Sequence, residues 1–86
     1  MYSYEIKQPL LKTLNKIAKK NITLYQQVTK KIIEITKSPH LGKPLRHRLK
    51  GKRRVHVGNF VLLYEVDDTK KRITFLLLEH HDKAYD

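Results

Sequence analysis

The stretch from Leu45 to Phe60, LRHRLKGKRRVHVGNF, sets eight cationic or imidazole side chains around a glycine turn and then runs into an apolar segment. Imidazole moves protons near neutral pH, while guanidinium and ammonium groups can stabilise the extra negative charge of a pentacoordinate phosphate. Side chains of these types on neighbouring positions are equipment for gripping and cleaving a phosphodiester. A half-exposed sheet would also turn such residues to water, so the chemistry is available without being required. From Lys43 to Arg54, seven of twelve residues are Lys or Arg and none is acidic, whereas acids gather between Glu65 and Asp68 and near the C-terminus. The positive field should therefore have a direction.

Composition narrows the partners. The chain has 86 residues, 19 Lys and Arg against 8 Asp and Glu, and a formal net charge of +11. Such a charge attracts polyanions: nucleic acid, an anionic membrane surface or an acidic protein. A length of 86 residues fits one domain, spanning 1–86, with one small core. A chain this short buries only roughly 60–65% of its unfolded surface, which makes a stabilising partner plausible. There are no cysteines, so disulfides and thiolate metal sites are excluded. No apolar run approaches the roughly 20 residues of a transmembrane helix, and the N-terminus lacks the layout of a signal peptide. A cytoplasmic chain is expected.

The elements that must position the basic stretch follow from periodicity. Tyr2 to Lys7 alternates as a short strand would, and Pro9 suits the first turn of a helix beginning near Gln8. Leu10, Leu11, Leu14, Ile17 and Ala18 recur at helical spacing, with Lys12, Lys16, Lys19 and Lys20 on the remaining positions. Asn21 can end this helix in a left-handed conformation or cap the next one. There Ile22, Tyr25, Val28, Ile32 and Ile35 form a second stripe, stopped by Ser38-Pro39. Two helices joined by a short turn lie antiparallel and share a core. After the connector SPHLGKP the period becomes alternating: a short RLK strand broken by Gly51, then RRVHV, the turn Gly58-Asn59, FVLLYEV, the turn DDTKK and RITFLLLEH. Along RRVHV, Val55 and Val57 share one face and Arg54 and His56 the other. The expected fold class is α+β in βααβββ order, a two-helix N-terminal hairpin packed on a small, mostly antiparallel twisted sheet.

The run GKPLRHRLKGKRRVHVGNFVLLYEVD resembles the L-K-G-x-x-R-x-R-x-G-x-Y-R-x-x-Y pattern of the RelE/ParE superfamily of toxin–antitoxin toxins, and the ending EHHDKAY resembles its H-R-x-x-x-Y tail. Together these cover about half the chain. The resemblance implies an antiparallel sheet backed by two N-terminal helices. In RelE-like members it also implies a metal-independent, ribosome-dependent site on the open sheet face, without cofactors, that cuts mRNA by attack of a ribose 2′-hydroxyl on its own 3′ phosphate.

Transferred residue by residue, Arg54 falls at a basic strand position near the scissile phosphate. His56 falls where many members carry Arg or Lys, and as a neutral imidazole it is able to act as general base on the 2′-hydroxyl. His80 and His81 match the tail H-R, as general acid or phosphate contact, and Tyr85 matches the tail tyrosine, suited to proton transfer or to stacking on a base. Lys43, Arg46, Arg48, Lys50, Lys52 and Arg53 are the expected RNA-backbone contacts; adjacent histidines without further ligands are a weak metal signal, and no metal is assigned. One departure matters. Phe60-Val61 stands where the pattern has Tyr-Arg, which moves the chain towards ParE-like members that share the fold, lack the ribonuclease residues and act as gyrase inhibitors. A non-enzymatic RNA-binding domain stays open as well. The resemblance further implies a cognate acidic, partly disordered antitoxin of RelB type that folds around the domain and covers its basic face, in a hetero-oligomer.

Overall fold

The computed structural model describes residues 2–84. Helix α1 (Gln8–Lys20) opens with proline in its first turn, where the missing N–H has no intrahelical partner to lose. Asn21 then serves two helices. Its N–H donates to the carbonyl of Ile17 at 2.8 Å, ending α1, while its Oδ1 accepts from the N–H of Leu24 at 3.2 Å, capping α2 (Ile22–Lys37). With φ of −149°, Asn21 takes the capping role and not the left-handed one.

The two helices cover one face of a five-stranded sheet. Its strands are β1 (Ser3–Ile6), β2 (Lys43–Pro44), β3 (Lys52–Val57), β4 (Phe60–Asp67) and β5 (Arg72–His80), in spatial order β1-β5-β4-β3-β2. A final helical turn, α3, spans His81–Ala84. All pairs are antiparallel except β1 with β5, which run parallel because the whole helical hairpin separates β1 from the meander. The α+β class, the helical hairpin and the mostly antiparallel sheet are as the periodicity implies.

The core joins Leu10, Leu14, Leu24, Val28, Ile32 and Ile35 from the helices to Val57, Leu62, Tyr64, Ile73, Phe75 and Leu78 from the sheet. Two residues of the expected stripes are exposed instead: Leu11 is 39% and Ile22 55% exposed. In α2 the inward row is Leu24, Val28, Ile32 and Ile35, so capping by Asn21 leaves Ile22 in the first turn facing solvent.

Two further differences concern the basic stretch. The expected RLK strand is a 3-10 turn, His47–Leu49, entered by His47 at φ +59°, a left-handed conformation that no strand accommodates. The connector instead supplies β2, whose Lys43 lies opposite Arg54 and whose Pro44 lies opposite Arg53. A proline is tolerated there because β2 is an edge strand. Gly42, just before it, is buried: a Cβ at this position would sit 2.6 Å from the Tyr64 hydroxyl and 2.7 Å from the Arg54 carbonyl oxygen.

Candidate functional site

Alternation along β3 turns Lys52, Arg54 and His56 to the face that the helices leave open. Antiparallel register then fixes their neighbours in three rows: His56 beside Val61 and Glu79, Arg54 beside Leu63 and Leu77, Lys52 beside Glu65 and Thr74. Arg54 thus lies against two half-buried leucines, with its Nε and Nη1 shielded from solvent. Lys52 Nζ approaches Glu65 Oε2 at 3.6 Å.

A bulge in β5 decides which tail histidine reaches this face. Leu63 pairs with Leu77 but Tyr64 pairs with Phe75, so Leu76 is an extra residue and the alternation resets there. Because of the reset, Glu79 joins the open face, and His80 lies opposite Phe60 on the core-facing side, with ring centroids 5.5 Å apart. His81 begins α3. Its N–H donates to the carbonyl of Asn59 in the β3–β4 turn at 2.9 Å, which swings its imidazole over the open face to a centroid distance of 5.7 Å from His56, tilted by 34°.

Asp82 joins this pair. One carboxylate oxygen is 3.5 Å from His81 Nδ1 and the other 3.6 Å from His80 Nδ1, distances of electrostatic attraction more than of strong hydrogen bonding. His56, Gly58, Asn59, His80, His81 and Asp82 line one open depression at this end of the sheet. Val61 is its apolar neighbour, 1% exposed although it lies on the open face, and α3 packs near β4 and β5 at this end of the sheet. Tyr85 lies outside the described residues.

The expected RNA-contact residues divide. Lys43, Arg46, Arg48 and Lys50 are exposed along β2, the 3-10 turn and the loop after it. Arg53 is not with them. Alternation sends it to the core-facing side, where its Nη1 donates to the carbonyls of Gly42 at 2.7 Å and His40 at 3.3 Å, so it holds the connector and does not line the basic face. Tyr64 completes that brace: its buried hydroxyl accepts from the N–H of Gly42 at 2.8 Å and donates to the carbonyl of Pro39 at 2.9 Å. Burial pushes the Tyr64 phenol above its ordinary pKa, against the opposing pull of the Gly42 N–H and the Arg53 charge.

A second polar cluster closes the opposite end of the sheet. The Tyr2 hydroxyl donates to Asp68 Oδ1 at 2.7 Å, and His40 Nε2 meets Asp68 Oδ2 at 3.1 Å. These two bonds hold the Asp68 carboxyl below its ordinary pKa, and the Asp68 contact raises the Tyr2 phenol above its own. Sequence reading identified none of Asp82, Asp68, His40 and Tyr2 as members of a cluster. For Asp82 the signal was the HHD run itself, an acid adjoining two imidazoles.

The order of elements, the open basic face and the histidine-bearing tail can be set beside known proteins. The family model described as "ParE toxin of type II toxin-antitoxin system, parDE" matches residues 4–85. The chain belongs to this family. A curated protein of Methanocaldococcus jannaschii named "Putative toxin RelE4" is 41% identical over 86 residues, 99% of this chain and 92% of that one. Among solved structures, the toxin–antitoxin complex RelBE2 of Mycobacterium tuberculosis contains a chain that superposes with a TM-score of 0.79 at 25% identity, covering 92% of this toxin and 96% of that chain. The isolated RelE toxin of E. coli superposes with a TM-score of 0.76 at 20% identity, covering 93% and 84%, a likeness of fold. The toxin is thus a member of the RelE/ParE superfamily. Among its described residues, no helix is long and apolar enough to cross a membrane.

Proposed function

We propose that this toxin is a ribosome-dependent mRNA endoribonuclease that inhibits translation. The observation that carries this reading is the convergence of His56 and His81, from opposite ends of the meander, in one depression on the face that also holds Arg54. His56 removes the proton of a ribose 2′-hydroxyl, and the oxygen attacks the adjacent 3′ phosphorus. Arg54 offsets the charge that builds on the phosphoryl oxygens, and its apolar surroundings strengthen that effect. His81, steadied by Asp82, delivers a proton to the departing 5′ oxygen, leaving a 2′,3′-cyclic phosphate and a 5′-hydroxyl. His80 lines the same depression and shares the Asp82 carboxylate, a place from which it supports the acid. Tyr85 is assigned to this site on the resemblance of the tail. Lys43, Arg46, Arg48, Lys50 and Lys52 draw the RNA backbone in.

In this reading an acidic antitoxin restrains the toxin in the cytoplasm. Between β1, α1 and α2 lies an apolar groove lined by Tyr4, Ile6, Leu11, Tyr25 and Ile33, with Tyr4 and Ile33 more than half exposed at 53% and 56%. An amphipathic acidic segment fits that groove and is steered to it by the +11 charge. The solved complex of the Mycobacterium tuberculosis relative supports such a partner.

A second reading, a ParE-like toxin that occupies its target without cutting, is favoured by Val61: this buried isopropyl group stands where the RelE pattern places arginine. Primer extension on mRNA, with and without purified ribosomes, separates the two. Cuts that require ribosomes and vanish with Arg54→Ala are the expected result. Growth arrest by a folded toxin without cuts would replace the nuclease by the occupying toxin, with gyrase or the ribosome as target.

A further inference from the structure

Glu79 lies on the open face, yet the reaction proposed above gives it no task. The bulge at Leu76 turns it to the side of His56, with Val61 between them in the same row. Two strand spacings, about 10 Å, separate the backbones of His56 and Glu79. Val61 adds no polar atom, so the row offers an imidazole at one end and a carboxylate at the other. Among the described residues, every other acid holds a hydrogen bond or an ion pair, as Glu65 does with Lys52 on the same face and Asp82 with the two tail histidines. Glu79, although half-buried, enters no such contact. In a chain of net charge +11, a half-buried carboxylate without a cation is unfavourable, and beside a site for phosphate it also repels the ligand. A local choice of that kind at a functional site points to a ligand that brings its own donors.

We propose that Glu79 reads the base beside the scissile phosphate and selects guanine there. This role rests on the nuclease reading above and concerns base choice, not bond cleavage. The exposed cations Lys43, Arg46, Arg48 and Lys50 lie beyond β3 on the β2 side of the face, so a strand whose phosphates follow them turns its bases towards β5. There the row of Glu79 adjoins the row of half-buried Leu63 and Leu77, an apolar bed for a ring with an acceptor at its edge. Unpaired RNA bases are read on their Watson–Crick edges. A carboxylate only accepts, through two oxygens side by side. Guanine answers with two adjacent donors, its ring N1–H and its 2-amino group. Adenine and cytosine each bring one amino group, and uracil sets its single N–H between two carbonyl oxygens that the carboxylate repels. The cations of the site hold any RNA alike; Glu79 distinguishes one from another.

The test is ribosome-dependent primer extension on mRNAs that differ only at the two nucleotides flanking the cut, with guanosine, adenosine, cytidine, uridine or inosine placed there. Inosine carries the guanine ring without its 2-amino group. The parent should cut mRNA with guanosine at one of the two positions about tenfold or more faster than mRNA with uridine, and inosine should fall between them. Glu79→Gln keeps the shape but replaces one acceptor by a donor. It should bring these ratios to within about twofold, by slowing the guanosine mRNA while cutting of the uridine mRNA is kept. Comparing parent with variant removes any preference that the ribosome itself imposes. An equal loss on every mRNA would make Glu79 part of the chemistry or of the fold and overturn the inference. So would a preference that Glu79→Gln leaves unchanged, or a parent that cuts all the mRNAs alike; in each case the nuclease reading stands. A parent that cuts none of them with ribosomes present removes both.

Discussion

The imidazole rings of His56 and His81 lie 5.7 Å apart, centroid to centroid, although one belongs to β3 and the other to the first turn of α3. If they act as base and acid in one reaction, each is needed for the other to be useful. His56→Ala and His81→Ala should each lower ribosome-dependent cleavage by about 10²–10⁴, and the double variant should fall little below the worse single one. Single-turnover primer extension measures this. Strictly multiplicative losses would mean that the two rings do not share a step.

Adjacent arginines should separate activity from stability. Arg54→Ala should abolish cleavage, by about 10² or more, while the protein stays folded. Arg53→Met removes the donor to the Gly42 and His40 carbonyls and should cost about 1–2 kcal/mol, seen as a lower midpoint in urea, with ribosome affinity little changed. A reversed pattern would place Arg53, and not Arg54, on the RNA.

Gly42→Ala should destabilise the toxin by about 1–3 kcal/mol, since its Cβ meets the Tyr64 hydroxyl at 2.6 Å and strand backbone at 2.7 Å. Thermal unfolding reads the loss as roughly 4–8 °C per kcal/mol in a domain of this size. Tyr64→Phe/Gly42→Ala should recover little of it, because the ring edge still lies 2.9 Å away.

The Tyr2–Asp68–His40 cluster predicts a pH dependence with a definite sign. The folded state depresses the Asp68 pKa, so its contribution is present above the ordinary carboxylate value of 3.8 and is lost as pH falls through the lower, folded value. The Tyr2 phenol is raised, so its share is present below 10.0 and is lost as pH rises through the higher, folded value. Asp68→Asn should therefore be less stable than the parent near neutral pH, and the two should converge in strong acid. A stability difference independent of pH would show that the carboxylate charge contributes nothing.

Periodicity made the layers legible. The spacing of Leu10, Leu14 and Ile17, the alternation of Val55 and Val57 against Arg54 and His56, and the turn at Gly58-Asn59 each express one local rule that packing then obeyed. Departures came where a local rule met a distant partner. Arg53 looked like its basic neighbours in sequence, but its face was set by strand phase and its role by two carbonyls from the connector. His80 and His81 were indistinguishable as a pair, because the bulge at Leu76 that separates their faces sits within a run of three leucines and has no signature of its own. Asp68 required knowing that the N-terminal strand and the β4–β5 turn close on each other.

The same bulge bears on how the toxin meets other copies of itself. β1 pairs with β5 only from Arg72 to Phe75, so among the described residues β4 is the one strand that ladders β5 from Leu77 to His80. A straight, leucine-rich margin would invite a second chain to add on and begin a fibre. The extra residue lies where the pairing with β1 stops, and the local twist it brings makes that margin a poor template. The extra leucine that sets the phase of the histidines thus also bends a margin that a straight strand would offer to a second chain.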